Sequence, residues 1–134
     1  MVDLDTNTVV YFFKGMGGVS ERLLATPPTE ISVSAVVAYE LAVGVAKSPE
    51  ASRRRAQLQR FLSVVTVVPF GPREAEVTAA ARADLERRGQ PIGPLDLMIA
   101  GTALARGSVL VTHNTREFGR VGGLRVEDWY TAAS

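Results

Sequence analysis

The chain has 134 residues, of which 46% are hydrophobic and 22% charged, and this composition fits one globular domain spanning residues 1–134. Its net charge of +1 is too small to argue for nucleic-acid binding by itself, because electrostatic attraction needs a local concentration of charge. The absence of cysteine excludes disulfides, thiolate nucleophiles and cysteine-ligated zinc or iron–sulfur clusters, which leaves carboxylates and a single histidine as candidate metal ligands.

Short apolar strands alternate with helices along the whole chain. Thr6 or Asn7 is suited to cap the first helix, Ser34 is suited to cap the third, and clusters of glycine and proline separate the elements. In chain order we predict a strand at 2–5, helices around 9–13 and 20–25, a strand at 31–33, helices at 34–46 and 50–63, a strand at 64–68, helices at 72–88 and 95–106, and strands at 109–112 and 124–126.

Strands joined by helices imply right-handed crossovers and a parallel sheet that is covered on both faces. We therefore predict an α/β fold, a three-layer α/β/α domain whose central, mainly parallel sheet has four to five strands. In such domains the loops at the carboxyl ends of the strands form one crevice, in which ligands usually bind. Asp5 and Thr112 both lie at such strand ends.

Glu40 is the only charged residue in a helix that is otherwise apolar or small from Ser34 to Val45. Val36, Val37 and Leu41 surround it at helical spacing, so we expect its side chain on the inner surface of the helix. Burying an unpaired carboxylate costs several kcal/mol, and something must compensate for it.

Asp96 and Asp5 are two further acids in apolar surroundings. Asp96 is the only charged residue between Arg88 and Arg106, and a structural role in the first turn of a helix explains it equally well. Asp5 ends a strand, where it could simply cap the next helix. Three acids converging on one crevice would raise each other's pKa values unless a cation neutralised them, and oxygen ligands alone favour Mg²⁺ or Mn²⁺.

No signal peptide is recognisable at the N-terminus, which begins with polar and acidic residues instead of a positive flank and an apolar run. No apolar stretch approaches the roughly 20 residues that are needed to cross a bilayer. We expect a soluble cytoplasmic protein.

Five segments carry a family pattern. They are Leu4-Asp5-Thr6-Asn7, Ile31-Ser32 through Glu40-Leu41 with Gly44, Gly93-Pro94-Leu95-Asp96 with Ile99-Ala100, Val111-Thr112-His113-Asn114-Thr115-Arg116-Glu117-Phe118, and the closing stretch from Gly123 to Trp129. In their order and spacing these segments resemble the VapC branch of the PIN-domain nucleases, and the resemblance spans nearly the whole chain.

The resemblance implies the toxin of a type II toxin–antitoxin pair, an endoribonuclease whose Mg²⁺ is held by Asp5, Glu40 and Asp96. It also implies a cognate antitoxin, a homodimer, and contact with operator DNA only through the antitoxin complex. The stretch from Gln90 to Trp129 is similar to VapC proteins that cleave initiator transfer RNA in the anticodon loop.

The fourth acid of the family is the point at which this chain departs from the pattern. Many PIN domains carry it just after the last core strand, where this chain has Asn114. Glu117, one turn further on, resembles the acid that VapC proteins with this motif use instead, but an exposed helix carboxylate explains it equally well. The choice between Asn114 and Glu117 stays open at this stage.

Hydrogen-bonding and RNA-binding residues complete the predicted site. Thr6, Thr112 and Asn114 are expected to hold metal ligands or phosphate by hydrogen bonds, and His113 is a further candidate for RNA contact. The predicted RNA-binding residues are Arg53, Arg54, Arg55 and Arg116. A solvated helix face explains the three consecutive arginines as readily.

Two other functions fit parts of the sequence. The segment Asp3-Leu4-Asp5 after a first strand suggests a phosphohydrolase of the haloacid dehalogenase type. That family, however, has Thr or Val at the position of Asn7 and a lysine near the crevice, and the sequence shows neither feature. A non-catalytic module that pairs with an antitoxin and its operator is the second alternative. Its binding groove would be formed by apolar residues of the early helices, namely Tyr11, Phe12, Phe13, Leu23 and Leu24.

Overall fold

The computed structural model describes residues 1–131 and has a parallel sheet of five strands at its centre, as predicted. Residues 132–134 of the predicted domain lie outside the described residues. The strands are β1 (Val2–Leu4), β2 (Ile31–Ser34), β3 (Thr66–Val68), β4 (Val109–Val111) and β5 (Arg125–Glu127). The helices are α1 (Thr6–Lys14), α2 (Val19–Leu24), α3 (Ala35–Ala46), α4 (Ala51–Val64), α5 (Pro72–Arg87), α6 (Pro94–Arg106) and α7 (Thr115–Phe118), with a 3-10 turn at Pro28–Glu30.

The order of the strands reverses direction at β1. Across the sheet the order is β3-β2-β1-β4-β5, so the chain first builds outward on one side of β1 and then crosses to the other side. Right-handed crossovers consequently place α1 to α4 on one face of the sheet and α5 and α6 on the other. The two halves separate at the carboxyl ends of β1 and β4, and this is where an open α/β sheet forms its binding crevice.

Two helix caps bring the chain into this crevice. The side chain of Asp5 accepts a hydrogen bond from the backbone N–H of Thr8 at 2.8 Å and caps α1. The expectation that Thr6 or Asn7 is the cap is therefore wrong, because both residues already belong to the helix. Ser34 caps α3 as predicted, since its hydroxyl accepts from the N–H of Val37 at 3.1 Å.

Asp3 is a buried acid of β1, and only 2% of it is exposed. Its Oδ1 accepts a hydrogen bond from the hydroxyl of Ser32 at 2.5 Å, whereas Oδ2 has no hydrogen-bond partner in the part of the chain that the structure describes. Burial raises the pKa of Asp3, against the lowering effects of the Ser32 hydrogen bond and the charge of Arg106. Because Asp3 is not open to the crevice, it does not form with Asp5 the reactive pair that prompted the dehalogenase alternative.

The second helical layer depends on a close approach between α5 and α6. A Cβ added at Gly101 of α6 would lie 2.8 Å from the Cβ and 3.0 Å from the Cα of Thr78 on α5, in addition to overlapping the Thr78 hydroxyl. Glycine therefore sets the distance between the two helices. Among residues 1–131, no helix is both long enough and apolar enough to cross a membrane.

A pair of alanine substitutions tests the role of this close approach. We expect Gly101→Ala to destabilise the fold by about 2 kcal/mol, because the backbone of α5 would have to move away from the new methyl group. The matched control is Gly44→Ala in the last turn of α3, where an added Cβ meets nothing within 4 Å. That variant should be more stable by about 1 kcal/mol, since alanine has the higher helix propensity. Chemical denaturation of both variants is the measurement, and equal stability of the two would contradict the packing argument.

Candidate active site

Four carboxylates meet at the reversal point of the sheet. Asp5 follows β1, Glu40 lies in the middle of α3, Asp96 lies in the first turn of α6 and Glu117 belongs to α7. The charges of Asp5, Glu40 and Glu117 all act on Asp96, which shows that four elements distant in sequence bring their acids to one place. The three acids predicted from the sequence are therefore neighbours.

Threonine hydroxyls hold the first two of these acids. Thr112, at the end of β4, donates to Oδ2 of Asp5 at 2.6 Å, while Oδ1 is occupied by the capping bond. Thr6, in the first turn of α1, donates to Oε1 of Glu40 at 2.5 Å. Both threonines were predicted as hydrogen-bonding residues. The expectation that Glu40 is buried is only half right, because its side chain remains partly exposed in the crevice.

Asp96 is the most strongly perturbed acid of the site. Burial and the charge of Glu117 are the two largest causes that raise its pKa, and together with hydrogen bonding to Glu117 and the charges of Glu40 and Asp5 they bring it to about 6. The surrounding negative charges favour the protonated form of Asp96 and make it a weaker acid than an isolated carboxyl group. These charges are therefore not fully offset by the groups around them.

Glu117, rather than Asn114, is the fourth acid that reaches Asp96. The side-chain amide of Asn114 donates to Oε2 of Glu117 at 3.0 Å, and the backbone N–H of Asn114 donates to the hydroxyl of Thr112 at 3.0 Å. Asn114 thus orients Glu117 and links it to the residue that holds Asp5. The geometry favours Glu117 as the residue that takes the place of the missing family acid.

The donor set fits a hard divalent cation. It consists of carboxylate oxygens with hydroxyl and amide groups around them, and Mg²⁺ or Mn²⁺ prefers such oxygen ligands. Within residues 1–131, however, no three acidic or histidine side chains are drawn together tightly enough to enclose an ion.

A groove of about 330 Å³ continues from the acids between α1, α3 and α4. Thr6 and Glu40 lie on its wall together with two cations, Lys14 at the end of α1 and Arg54 on α4. Apolar side chains form most of the remaining wall, namely Val10, Phe13, Leu41, Val45 and Leu58. Lys14 was not predicted as a site residue, and only its place in the folded groove reveals it.

The other predicted RNA-binding arginines differ in position. Arg53 forms an ion pair with Glu50 at 3.4 Å and Arg55 is exposed on α4, and neither is among the residues that line the groove. Of the three consecutive arginines, only Arg54 therefore lines the groove that continues from the acids. Arg116 is exposed on α7, directly before Glu117.

His113 stands between two residues of the site and has an acidic partner that the sequence did not indicate. Its Nδ1 lies 3.0 Å from Oδ2 of Asp128, and its ring stacks on that of Tyr130 at a centroid distance of 4.3 Å. Tyr11 packs edge-on against both rings. Burial tends to raise the pKa of Asp128, but hydrogen bonds from His113, from Thr131 and from two backbone N–H groups outweigh this effect and lower it.

A second groove, of about 420 Å³, is mostly apolar and lies beside α1, α2 and α4. Leu24 on α2 and Val64 on α4 are 79% and 59% exposed, and both line this groove. Phe12, Phe13 and Leu23 line this groove, as predicted for a peptide-binding surface. Tyr11 does not line it, because it belongs to the cluster around His113.

Comparison with known proteins assigns the chain to one family. Residues 3–124 match the family model described as PIN domain. The chain is 40% identical over 126 residues to a tRNA(fMet)-specific endonuclease VapC from Shigella flexneri, covering 94% of this chain and 96% of that protein. It is 35% identical over 126 residues to ribonuclease VapC2 from Haemophilus influenzae (strain ATCC 51907 / DSM 11121 / KW20 / Rd), with the same coverage.

Solved structures of two toxin–antitoxin complexes are similar to the chain over nearly their full toxin length. DNA-bound VapBC from Salmonella typhimurium aligns with a TM-score of 0.90 and 39% identity, covering 96% of this chain and 97% of that one. VapBC2 from Rickettsia felis, bound to a DNA fragment from its promoter, aligns with a TM-score of 0.89 and 34% identity, covering 96% and 99%. The predicted three-layer fold is thereby confirmed.

Thermal denaturation with and without Mg²⁺ tests whether the four acids bind a cation. Because the pKa of Asp96 is raised from 3.8 to about 6, the folded protein holds a proton that the unfolded chain has already released between these values. The stability that this proton contributes is complete below pH 3.8 and is lost as the pH rises through about 6. We expect millimolar Mg²⁺ to raise the melting temperature by about 3–6 °C at pH 7.5, and by much less at pH 5, where protons compete with the metal.

The control variants are Asp96→Asn, which removes one charge of the site, and Glu76→Gln, which removes an exposed charge on α5. The first should lose most of the Mg²⁺ effect, and the second should behave like the unchanged protein. The same Mg²⁺ shift in Asp96→Asn as in the unchanged protein would contradict metal binding at this site.

Proposed function

The chain belongs to the PIN-domain family and, within it, to the VapC ribonucleases, and from this premise we propose that it is a Mg²⁺-dependent endoribonuclease toxin. It hydrolyses phosphodiester bonds in RNA and is neutralised by a cognate antitoxin. The observation that carries the proposal is the convergence of Asp5, Glu40, Asp96 and Glu117, which raises the pKa of Asp96 to about 6. A module that only pairs with an antitoxin has no need for four mutually repelling acids.

The acids have separate tasks in this proposal. Asp5, Asp96 and Glu40 would hold the metal, and the carboxylate of Glu40 would also help to orient the attacking water. When bound, Mg²⁺ lowers the pKa of a coordinated water and neutralises charge on the scissile phosphate. Glu117, oriented by Asn114 at 3.0 Å, completes the group of acids.

The threonines and the cations prepare the site before substrate arrives. Thr112 and Thr6 fix the rotamers of Asp5 and Glu40, so that little reorganisation is needed when a cation binds. Lys14 and Arg54 bind the phosphates of the RNA strand along the groove that Glu40 lines, and Arg116 binds phosphate beside Glu117. The strand is thereby attracted by cations on either side of an acidic centre that would otherwise repel it.

Initiator transfer RNA, cut in its anticodon loop, is the substrate that we propose. The support comes from the relative named as a tRNA(fMet)-specific endonuclease, which is 40% identical over 94% of this chain. Single-stranded loops also suit the site chemically, because their backbone can bend into a crevice that a duplex cannot enter.

The partner that we propose is an antitoxin that places an amphipathic segment in the apolar groove beside α2 and α4. The support is the exposure of Leu24 and Val64 and the likeness to structures of VapBC complexes, some of them bound to DNA. Contact with operator DNA then arises through the antitoxin. A homodimer remains part of the proposal on the strength of the family alone.

RNA sequencing after expression in a bacterial host tests the ribonuclease activity and its target together. We expect new 5′ ends in the anticodon loop of initiator transfer RNA, and none with Asp5→Ala or Asp96→Ala, since each variant lacks a metal ligand. Glu76→Ala, which removes an exposed acid of α5, is the matched control and should cleave like the unchanged protein. In vitro the cleavage rate of each active-site variant should fall at least about 100-fold, because the variant loses the contribution of the metal and of acid–base catalysis.

Full cleavage by the purified Asp96→Ala variant would contradict the metal assignment. Cleavage of other RNAs without cleavage of initiator transfer RNA would contradict the proposed target. Both active-site variants should still bind the antitoxin. That result separates a lost reaction from a lost fold.

The partner surface is tested by Leu24→Asp, which introduces a charge on a side chain that is already 79% exposed. We expect this variant to cleave RNA at the unchanged rate but to escape neutralisation, with antitoxin affinity reduced at least about 100-fold, since a charge must then be buried in the complex. Leu24→Met is the conservative control and should be neutralised normally. Co-purification and cleavage assays with the antitoxin present provide the measurement, and normal neutralisation of Leu24→Asp would rule the groove out.

A further inference from the structure

An aromatic cluster formed by Tyr11, His113 and Tyr130 lies beside the acids and has no task in the mechanism above. His113 separates Thr112 from Asn114, and these two residues hold Asp5 and Glu117 by hydrogen bonds of 2.6 and 3.0 Å. Since consecutive Cα atoms are about 3.8 Å apart, the backbone of His113 is within one residue of both anchors of the site. The backbone that carries the His113 ring therefore lies at the rim of the crevice.

The imidazole of His113 is held in a fixed orientation. Nδ1 lies 3.0 Å from the carboxylate of Asp128, which in turn accepts hydrogen bonds from the backbone N–H groups of Tyr130 and Thr131 at 2.8 and 3.3 Å. One face of the imidazole stacks on Tyr130, at 4.3 Å and an interplanar angle of 26°. Hydrogen bonding and stacking together leave the ring little rotational freedom.

The other face of the imidazole is not covered by either tyrosine. If a ring were stacked on that outer face, the imidazole would separate it from Tyr130, and the two ring centroids would be about twice the stacking distance apart. Tyr11 lies only 4.7 Å from Tyr130 but 6.0 Å from His113, so it is at the side of the stacked pair. In agreement with this arrangement, 41% of the His113 side chain is exposed.

We propose that the outer face of His113 is a stacking platform for one unpaired nucleobase of the RNA substrate, next to the bond that is cut. The proposal rests on the ribonuclease function above. Histidine and tyrosine rings stack on bases that are splayed out of single-stranded loops, and stacking tolerates any base because each has a flat π-face. The platform positions the strand and takes no part in proton transfer.

The position of the platform matches the rest of the substrate path. Lys14 and Arg54 lie in the groove between α1, α3 and α4, whereas His113 lies at the end of β4, on the other side of β1 in the sheet. An RNA strand held by cations on one side and by a stacked base on the other would cross the acids between these two points. A purely structural role for the cluster would not need an imidazole whose side chain is 41% exposed.

Two substitutions of His113 separate stacking from folding. His113→Asn removes the aromatic face but keeps a side-chain N–H for Asp128, and His113→Phe keeps the aromatic face but loses this hydrogen bond. Single-turnover cleavage of an RNA stem-loop gives the half-saturating protein concentration and the rate at saturation. We expect His113→Asn to raise the half-saturating concentration about tenfold, the lower part of the range for loss of one stacked base, and His113→Phe to stay within about twofold of the unchanged protein.

A stem-loop series with an abasic nucleotide at each loop position identifies the base. In the unchanged protein, one abasic position should raise the half-saturating protein concentration about tenfold. In His113→Asn the same abasic position should raise this concentration hardly further, because the base has already lost its platform. Independent, multiplying effects of His113→Asn and of every abasic position would overturn the proposal. So would His113→Phe being as defective as His113→Asn, with both melting at lower temperature, since that result assigns the ring a structural role.

Failure of the platform and failure of the ribonuclease function give different results. If no stem-loop is cleaved by the unchanged protein, the function itself is wrong. If cleavage occurs but His113→Asn weakens antitoxin affinity and leaves the half-saturating RNA concentration unchanged, the platform belongs to the antitoxin and the proposal is wrong.

Discussion

The mutual repulsion of four carboxylates is the constraint on which the arrangement of this protein depends. Desolvation and three neighbouring charges bring the pKa of Asp96 to about 6, so the folded state holds these acids together against their electrostatic preference. Three of the four carboxylates accept hydrogen bonds from neighbouring donors. Asp5 accepts from Thr112 and from the N–H of Thr8, Glu40 accepts from Thr6, and Glu117 accepts from Asn114. These donors reduce the repulsion without removing it, and a divalent cation would remove the remainder.

The topology explains why such a group of acids can be assembled from distant parts of the chain. Because the strand order reverses at β1, the ends of β1 and β4 are adjacent and no crossover helix covers the space above them. The hydroxyl of Thr8 donates to the carbonyl of Val111 at 3.2 Å and fastens the start of α1 to β4. The short connection after β4 then brings both His113 and Glu117 to the same opening, one on each side of Asn114.

Much of the fold and of the group of acids could be predicted from the sequence, because the decisive signals are charged residues within apolar segments. A lone charge in an apolar helix identified Glu40, a lone charge in an apolar stretch identified Asp96, and the alternation of strands and helices gave the layers. The pairing of Asp128 with His113 could not be predicted, since 15 residues separate them and nothing in either segment requires the contact. The same holds for Lys14 and for the different positions of Arg53 and Arg54, because consecutive residues on a helix point in different directions.

Asp3 and Asp5 show why residue type alone does not identify a site. They are two residues apart at the same strand, and a sequence pattern treats them as equivalent. Asp5 receives two donors, one from the helix that it caps and one from Thr112. Asp3 is buried beside Ser32, with one oxygen unpartnered in the described chain, and burial raises its pKa. Two acids of the same residue type, two positions apart, therefore have different surroundings, since Asp3 lacks a donor on one oxygen whereas both oxygens of Asp5 accept a hydrogen bond.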